Sequence, residues 1–153
     1  MAKRSKPPEV LEMQLPAAHS AVRMARQVSR KFARDAGVRG ESLETLTLVI
    51  SELLANAVDH GGGEAALEEK DLTRPVTMHL LLEASASGWK AAVSDQGGGD
   101  PVEVRLLLAP LDVPDLEDER GRGFFLMSAM VDELTVDRSP DGKGLTITAV
   151  KRA

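Results

Sequence analysis

Ser51-Glu52-Leu53-Leu54-Ala55-Asn56-Ala57-Val58-Asp59-His60-Gly61 is the stretch on which the reading of the fold turns. Leu53, Leu54 and Ala57, continued upstream by Leu43, Leu46 and Ile50, recur at three- and four-residue spacing. That pattern predicts a helix from about Ser42 to His60, ended by Gly61 to Gly63. Glu52 and Asn56 stand four apart and therefore share a face, one turn from each other, and Asp59 and His60 extend the stripe by another turn. A carboxylate and a carboxamide so placed suit phosphoryl chemistry. The Asn oxygen suits a hard cation such as Mg2+, which takes few protein ligands and completes its octahedron with water and phosphate oxygens. A Glu can accept the proton of a hydroxyl or water attacking a γ-phosphate. By itself the same spacing is also what a solvated helix face shows.

Working outward, an earlier helix is expected from about Ala17 to Ala36, on Val22, Ala25, Ser29, Phe32 and Ala36, with Gly37 as its stop. Val10 to Leu15 alternates as a short edge strand closed by Pro16, and Met1 to Pro8 reads as a loose terminus. Downstream, Glu64 to Arg74 is a charged loop. Val76 to Glu83 and Trp89 to Ser94 form two strands around the turn Ala84 to Gly88. The glycine-rich Asp95 to Pro101 leads to Arg105 to Arg120, which carries Pro110 and Pro114 and reads as a mobile loop with room for one helical turn. A third helix, Phe124 to Val131, precedes a terminal hairpin of Glu133 to Asp137 and Leu145 to Lys151. This order gives one α+β domain over residues 9–153, a two-layer sandwich with helices on one face of a mixed, mostly antiparallel sheet.

Two further segments can carry chemistry. Asp95-Gln96-Gly97-Gly98-Gly99 follows a strand directly. A carboxylate there can accept the exocyclic amino proton of adenine, while glycines let the backbone approach the base. Alone, such a segment is a common turn. Gly121-Arg122-Gly123 precedes the helix from Phe124, where free N–H groups and the helix dipole favour a phosphate, and Arg120 and Arg122 add positive charge. It too can be an ordinary glycine turn.

Composition narrows the field. Aromatic residues make up 3% of the 153, with one Trp and no Tyr, which argues against base stacking. The formal charge of -5 and the lack of a long basic cluster beyond Lys3 to Lys6 argue against direct binding to nucleic acid. With no cysteine, disulfides, thiolate metal sites and a Cys nucleophile are excluded. Neither a signal-peptide core nor an apolar run fit to cross a bilayer is present, so no membrane association and a cytoplasmic location are expected.

Taken together, Glu52-x-x-x-Asn56-Ala57-x-x-His60-Gly61, Asp95-x-Gly97-x-Gly99, Gly121-Arg122-Gly123-x-x-Leu126 and Gly144-x-Thr146 resemble the N box, the two glycine boxes and the closing Thr of the GHKL ATPases. That superfamily, with the Bergerat or histidine-kinase-like ATPase fold, includes histidine kinases, type II topoisomerases, heat-shock chaperones and anti-sigma kinases. The length, and Leu15-Pro16-Ala17-Ala18 ahead of a first helix bearing Arg23, are most similar to the anti-sigma factor serine kinases. The resemblance spans about Leu15 to Lys151.

It implies Glu52 as general base, Asn56 as Mg2+ ligand and Asp95 as the adenine-binding acid. Gly97, Gly99, Gly121 and Gly123 would shape the nucleotide loops beside Asp59, His60, Arg120, Arg122 and Phe124. Thr146 would support the adenine amino group through a water. The implied ligands are ATP or ADP with Mg2+. The implied partners are an anti-anti-sigma protein of the STAS fold, phosphorylated on serine, a sigma factor held in exchange, and a second copy of the chain. Arg23 would face a partner. Phe124 departs from the usual Leu or Ile, Arg120 from a small or neutral residue, and the loop Glu64 to Arg74 is longer than usual. A nucleotide-gated binding protein with little or no phosphotransfer is the alternative. A histidine kinase catalytic domain fits less well, because no N-terminal dimerisation helix with an acceptor histidine precedes the domain.

Overall fold

The computed structural model describes residues 7–62, 64–108 and 119–153, of which 106–108 and 119–121 are described by their backbone alone. Five strands form one sheet: β1 (Glu9–Pro16), β2 (Thr77–Ser85), β3 (Gly88–Ser94), β4 (Glu133–Arg138) and β5 (Leu145–Arg152). Their order is β1-β2-β3-β5-β4. Every neighbouring pair among the described residues is antiparallel, so the sheet carries no parallel pair. The period of two decides which side is covered. Met78, Leu80, Leu82 and Ala84 of β2, Trp89, Ala91 and Val93 of β3, and Leu145, Ile147 and Ala149 of β5 are all buried, while the residues between them stay partly open. Ala84 belongs to that buried face, which is why β2 runs to Ser85 and leaves a two-residue turn where the sequence suggested a longer one. At the turn's end Gly88 has φ +134°, and a Cβ there would lie 2.3 Å from the Lys151 carbonyl oxygen, so only glycine fits.

The covering layer is α1 (His19–Asp35) and α2 (Gly40–His60). Leu46, Val49, Ile50, Leu53, Leu54, Ala57 and Val58 of α2 are buried between α1 and the sheet, making α2 the central element of the core. Gly37, at φ +111°, ends α1 as expected, with the Val38 N–H returning to the Ala33 carbonyl. At its other end α1 has no side-chain cap on Ala18. Instead the N–H groups of His19 and Ser20 donate to the carbonyls of Ala66 and Leu67, each at 2.8 Å. The charged loop after α2 is therefore folded back to cap the first helix, and only then makes a 3-10 turn at Glu69–Asp71.

Two elements differ from expectation. Pro101–Leu108 is a helix, α3, so Arg105 sits in a helix and not in a loop. Asp100 caps it by accepting the Val102 N–H at 2.9 Å, with Pro101 at the first helical position, where its missing N–H costs nothing. The Arg105 side chain then ties α3 to β4 through the Val136 carbonyl and Asp137. The fourth helix, α4 (Glu119–Met130), begins five residues before the expected Phe124. The rest of the anticipated loop, 109–118, lies outside the described residues, as do residues 1–6 of the terminal segment.

Leu80 is fully buried at the centre of β2 beside α2. Leu80→Ala is expected to cost about 2–5 kcal/mol. For a chain this size that is a fall in Tm of order 10 °C, read by thermal unfolding through the buried lone tryptophan, Trp89.

Candidate functional site

The last turns of α2 carry Glu52, Ala55, Asn56, Asp59 and His60 on the side away from the core, and α4 lies across them with Gly123, Phe124 and Met127. These residues line a half-open cavity of about 80 Å³. Glu52, Asp59 and His60 are exposed at its rim and Asn56 is half-buried in its wall. A Cβ built on Gly123 would stand 3.5 Å from Glu52 Oε2, an ordinary contact, so α4 passes beside the carboxylate. Asp59 is held from the neighbouring helix: its Oδ1 lies 2.8 Å from Nε2 of His19, in the first turn of α1. Nothing local in the sequence joins His19 to the site, because 40 residues separate the two partners.

Asp95 lies just beyond the end of that helix, at the close of β3, and is only 5% exposed. Its Oδ1 accepts the N–H groups of Gly97 at 3.0 Å and Leu145 at 3.1 Å, and its own N–H donates to the Leu145 carbonyl. Three glycines make room for it. A Cβ on Gly61 would be 2.6 Å from Asp95 Cβ, one on Gly144 2.2 Å from Asp95 Oδ1, and one on Gly97 2.5 Å from the Gly61 carbonyl carbon. Gly61 and Gly144 stood in the sequence as members of the N box and of the closing motif, with no sign that both wall this carboxylate. The hairpin is itself braced. The Ser139 hydroxyl, the Lys143 N–H and the Gln96 side chain bond to Asp141 and hold its carboxyl below the usual carboxylate range. Gln96 also accepts the Thr77 N–H at 2.9 Å, fixing the residue after Asp95 to the start of β2.

The structure thus gathers Glu52, Asn56, Asp59, His60, Gly123 and Phe124 around one cavity and sets Asp95 and Gly97 next to it across Gly61. Gly99 stands farther along, against Leu145. Thr146 is not part of the constellation. Its Oγ1 is 2.7 Å from the Ser94 hydroxyl, and both lie on the open face of the sheet, behind the covered face that Leu145 and Ile147 line. The position beside Asp95 belongs to Leu145. The glycine pair of the second box also differs from expectation. Because α4 starts at Glu119, Gly123 is the fifth residue of the helix, past the four N–H groups that a helix leaves without internal partners. Arg122 is exposed on α4, and Arg120 and Gly121 fall among the residues described by backbone alone.

A glutamate and an asparagine on one helix face abut a glycine-walled acid at a strand end, a donor set suited to a nucleotide and its phosphates. The sequence matches the histidine kinase-like ATPase domain over residues 15–151. The serine-protein kinase RsbW of Staphylococcus aureus is 28% identical over 148 residues, which cover 94% of this chain and 86% of that protein. The same kinase from the bovine strain RF122 / ET3-1 is 30% identical over 149 residues, with equal coverage. In fold, the chain is similar to a solved structure of the SiaB-SiaC complex from Pseudomonas aeruginosa, with a TM-score of 0.66 at 15% identity over 92% of this chain and 89% of that one. It is also similar to the RsbU and RsbW domains of Rv1364c from Mycobacterium tuberculosis, with a TM-score of 0.59 at 22% identity, covering 94% of this chain and 32% of that longer one. The chain belongs to the histidine kinase-like ATPase family and stands with its serine-protein kinases.

Proposed function

We propose that this kinase binds ATP with Mg2+ in the cytoplasm and transfers the γ-phosphate to a serine of an anti-anti-sigma partner of the STAS fold. The observation that carries the reading is the pairing of Glu52 and Asn56 over one cavity, with Asp95 fixed by two backbone amides at the end of the same helix. In this reading Asp95 accepts the adenine amino group and excludes guanine, which presents an acceptor there. Glu52 takes the proton of the partner's serine hydroxyl as its oxygen bonds to the γ-phosphorus and the bond to ADP breaks.

The oxygen donors fit a hard cation, with Asn56 the ligand and the nucleotide's phosphates completing the shell. When bound, the ion neutralises phosphate charge. Arg23, exposed on α1, faces the partner, and a sigma factor is held in exchange for it. The added phosphate would place charge in a packed interface and release the partner.

Incubation with γ-labelled ATP, Mg2+ and candidate STAS proteins is expected to label a partner serine. Tight nucleotide binding with no label on any such partner would leave a gated binder, and absence of nucleotide binding would end the reading.

A further inference from the structure

β3 stops pairing with β2 at Ser94, opposite His79. The next pair in register would be Gln96 with Thr77, and there the Gln96 side chain stands in for backbone: its Oε1 accepts the Thr77 N–H at 2.9 Å. The main chain from Asp95 to Gly97 is thereby free to leave the sheet and pass Gly61, where a Cβ on Gly97 would stand 2.5 Å from the Gly61 carbonyl carbon. With Oε1 engaged, the Gln96 amide group donates to the other flank, to the Asp141 carboxylate of the β4–β5 hairpin, which lines the same depression on the open face of the sheet. Asp141 in turn accepts the Ser139 hydroxyl at 2.7 Å and the Lys143 N–H at 2.9 Å. The Ser139 Oγ accepts, at 2.9 Å, the N–H of Gly144, the glycine pressed against Asp95. Asp95 is thus reached from two sides, along the chain from Gln96 and across the hairpin through Asp141, Ser139 and Gly144. None of these three side chains lines the cavity beside Glu52.

We propose that Gln96 is a positioning residue for base recognition: by bridging the start of β2 to the β4–β5 hairpin it fixes where the Asp95 carboxylate points, and so sets how strongly the site selects a purine that carries an exocyclic amino group. This rests on the reading of Asp95 as the adenine-binding acid. A hydrogen bond discriminates only as well as its acceptor is held, because its strength falls steeply with misalignment. Asp95 is 5% exposed and its Oδ1 already accepts two backbone N–H groups, so its freedom is that of the chain segment that bears it and not of its own rotamers. Gln96 ties that segment to both neighbours at once, β2 on one side and the hairpin of β5 on the other.

The test compares, by calorimetry with Mg2+ present, the affinities of ATP and of purine riboside 5′-triphosphate, which lacks only the amino group. The unaltered chain is expected to prefer ATP by about tenfold or more. Gln96→Ala should weaken ATP by about tenfold and leave the analogue within about twofold, so that most of the preference disappears. Gln96→Glu and Asp141→Asn each set like groups face to face, two carboxylates or two amides, while an acceptor oxygen remains for the Thr77 N–H and for Ser139. Each should lower the preference by about threefold. Combined, they restore a carboxylate facing an amide with the roles exchanged, and the preference should return to within about twofold of the unaltered chain. A merely damaged fold would show no such rescue. Gln14→Ala, in the same depression, where its amide meets the Thr77 hydroxyl at 3.4 Å, should change the preference little. Should Gln96→Ala fail to fold, the shape-conserving exchange at 96 and 141 carries the test alone. A full preference retained in Gln96→Ala, equal weakening of ATP and the analogue, or losses at 96 and 141 that simply add would overturn the positioning role. An unaltered chain that binds both nucleotides alike would instead remove the reading of Asp95, and this role with it.

Discussion

Glu52→Gln is expected to lower phosphotransfer by about 10²–10⁴-fold, the usual contribution of a positioned general base, while nucleotide affinity stays within a few-fold. The exchange keeps shape and removes only the capacity to take a proton. Its structural cost is small, because Glu52 is exposed at the rim and makes no hydrogen bond or ion pair among the described residues whose loss would strand a partner. Transfer is measured in a single turnover with labelled ATP bound at saturation, and affinity by calorimetry on the same preparation. If Glu52→Gln transfers within tenfold of the unaltered chain, proton removal is done elsewhere and the carboxylate is only part of the cavity rim. If affinity collapses together with transfer, Glu52 acts on the bound nucleotide and not on the acceptor hydroxyl.

What the sequence disclosed about this site follows from how far each signal reaches. The α2 stripe is a property of one helix, so periodicity alone placed Glu52, Asn56, Asp59 and His60 on a common side, where the structure has them. Residues brought from other elements were legible only through motif order. Asp95 met the helix end as that order implies, but the glycines that admit it act across 34 and 49 residues of sequence, for Gly61 and Gly144 respectively, and no local pattern announces such contacts. Thr146 is different, since its misplacement was avoidable. Leu145, Ile147 and Ala149 alternate with Thr146 and Thr148, and that parity already sends the threonines to the open face.

The helices on either side of the anticipated loop show two further limits. Asp100 followed by Pro101 is a helix start signal, masked by the glycines ahead of it that read as loop. In α4, Gly121 and Gly123 each cost the helix about 1 kcal/mol relative to alanine. Propensity therefore pointed to a later start, and the burial of Phe124 and Met127 against the core outweighed it.

Gly144→Ala is expected to weaken ATP binding by about 10–100-fold, through a residue that touches no reacting group. The new methyl would stand 2.2 Å from Asp95 Oδ1, 2.4 Å from its carbonyl oxygen and 2.7 Å from its carbonyl carbon. Two of these three are backbone atoms of β3's exit, so relief requires moving the strand end or the hairpin and not merely a rotamer. Either shift breaks the paired amide contacts that orient Asp95. In the proposed reading the bond lost is a buried one from the adenine amino group to that charged acceptor, worth roughly 1.5–3 kcal/mol, which is about one to two decades in affinity. Gly142→Ala separates this effect from general damage to the hairpin. That glycine has φ +73° and no atom within 4 Å of an added Cβ, so its replacement strains the turn without reaching Asp95. Gly142→Ala should therefore lower Tm while leaving nucleotide affinity nearly unchanged, whereas Gly144→Ala should lose affinity out of proportion to any loss of stability. Calorimetric titration with ATP beside thermal unfolding of both variants gives the comparison. Equal losses of affinity in the two would mean that the hairpin matters as a whole and that the close approach of Gly144 to the carboxylate does not.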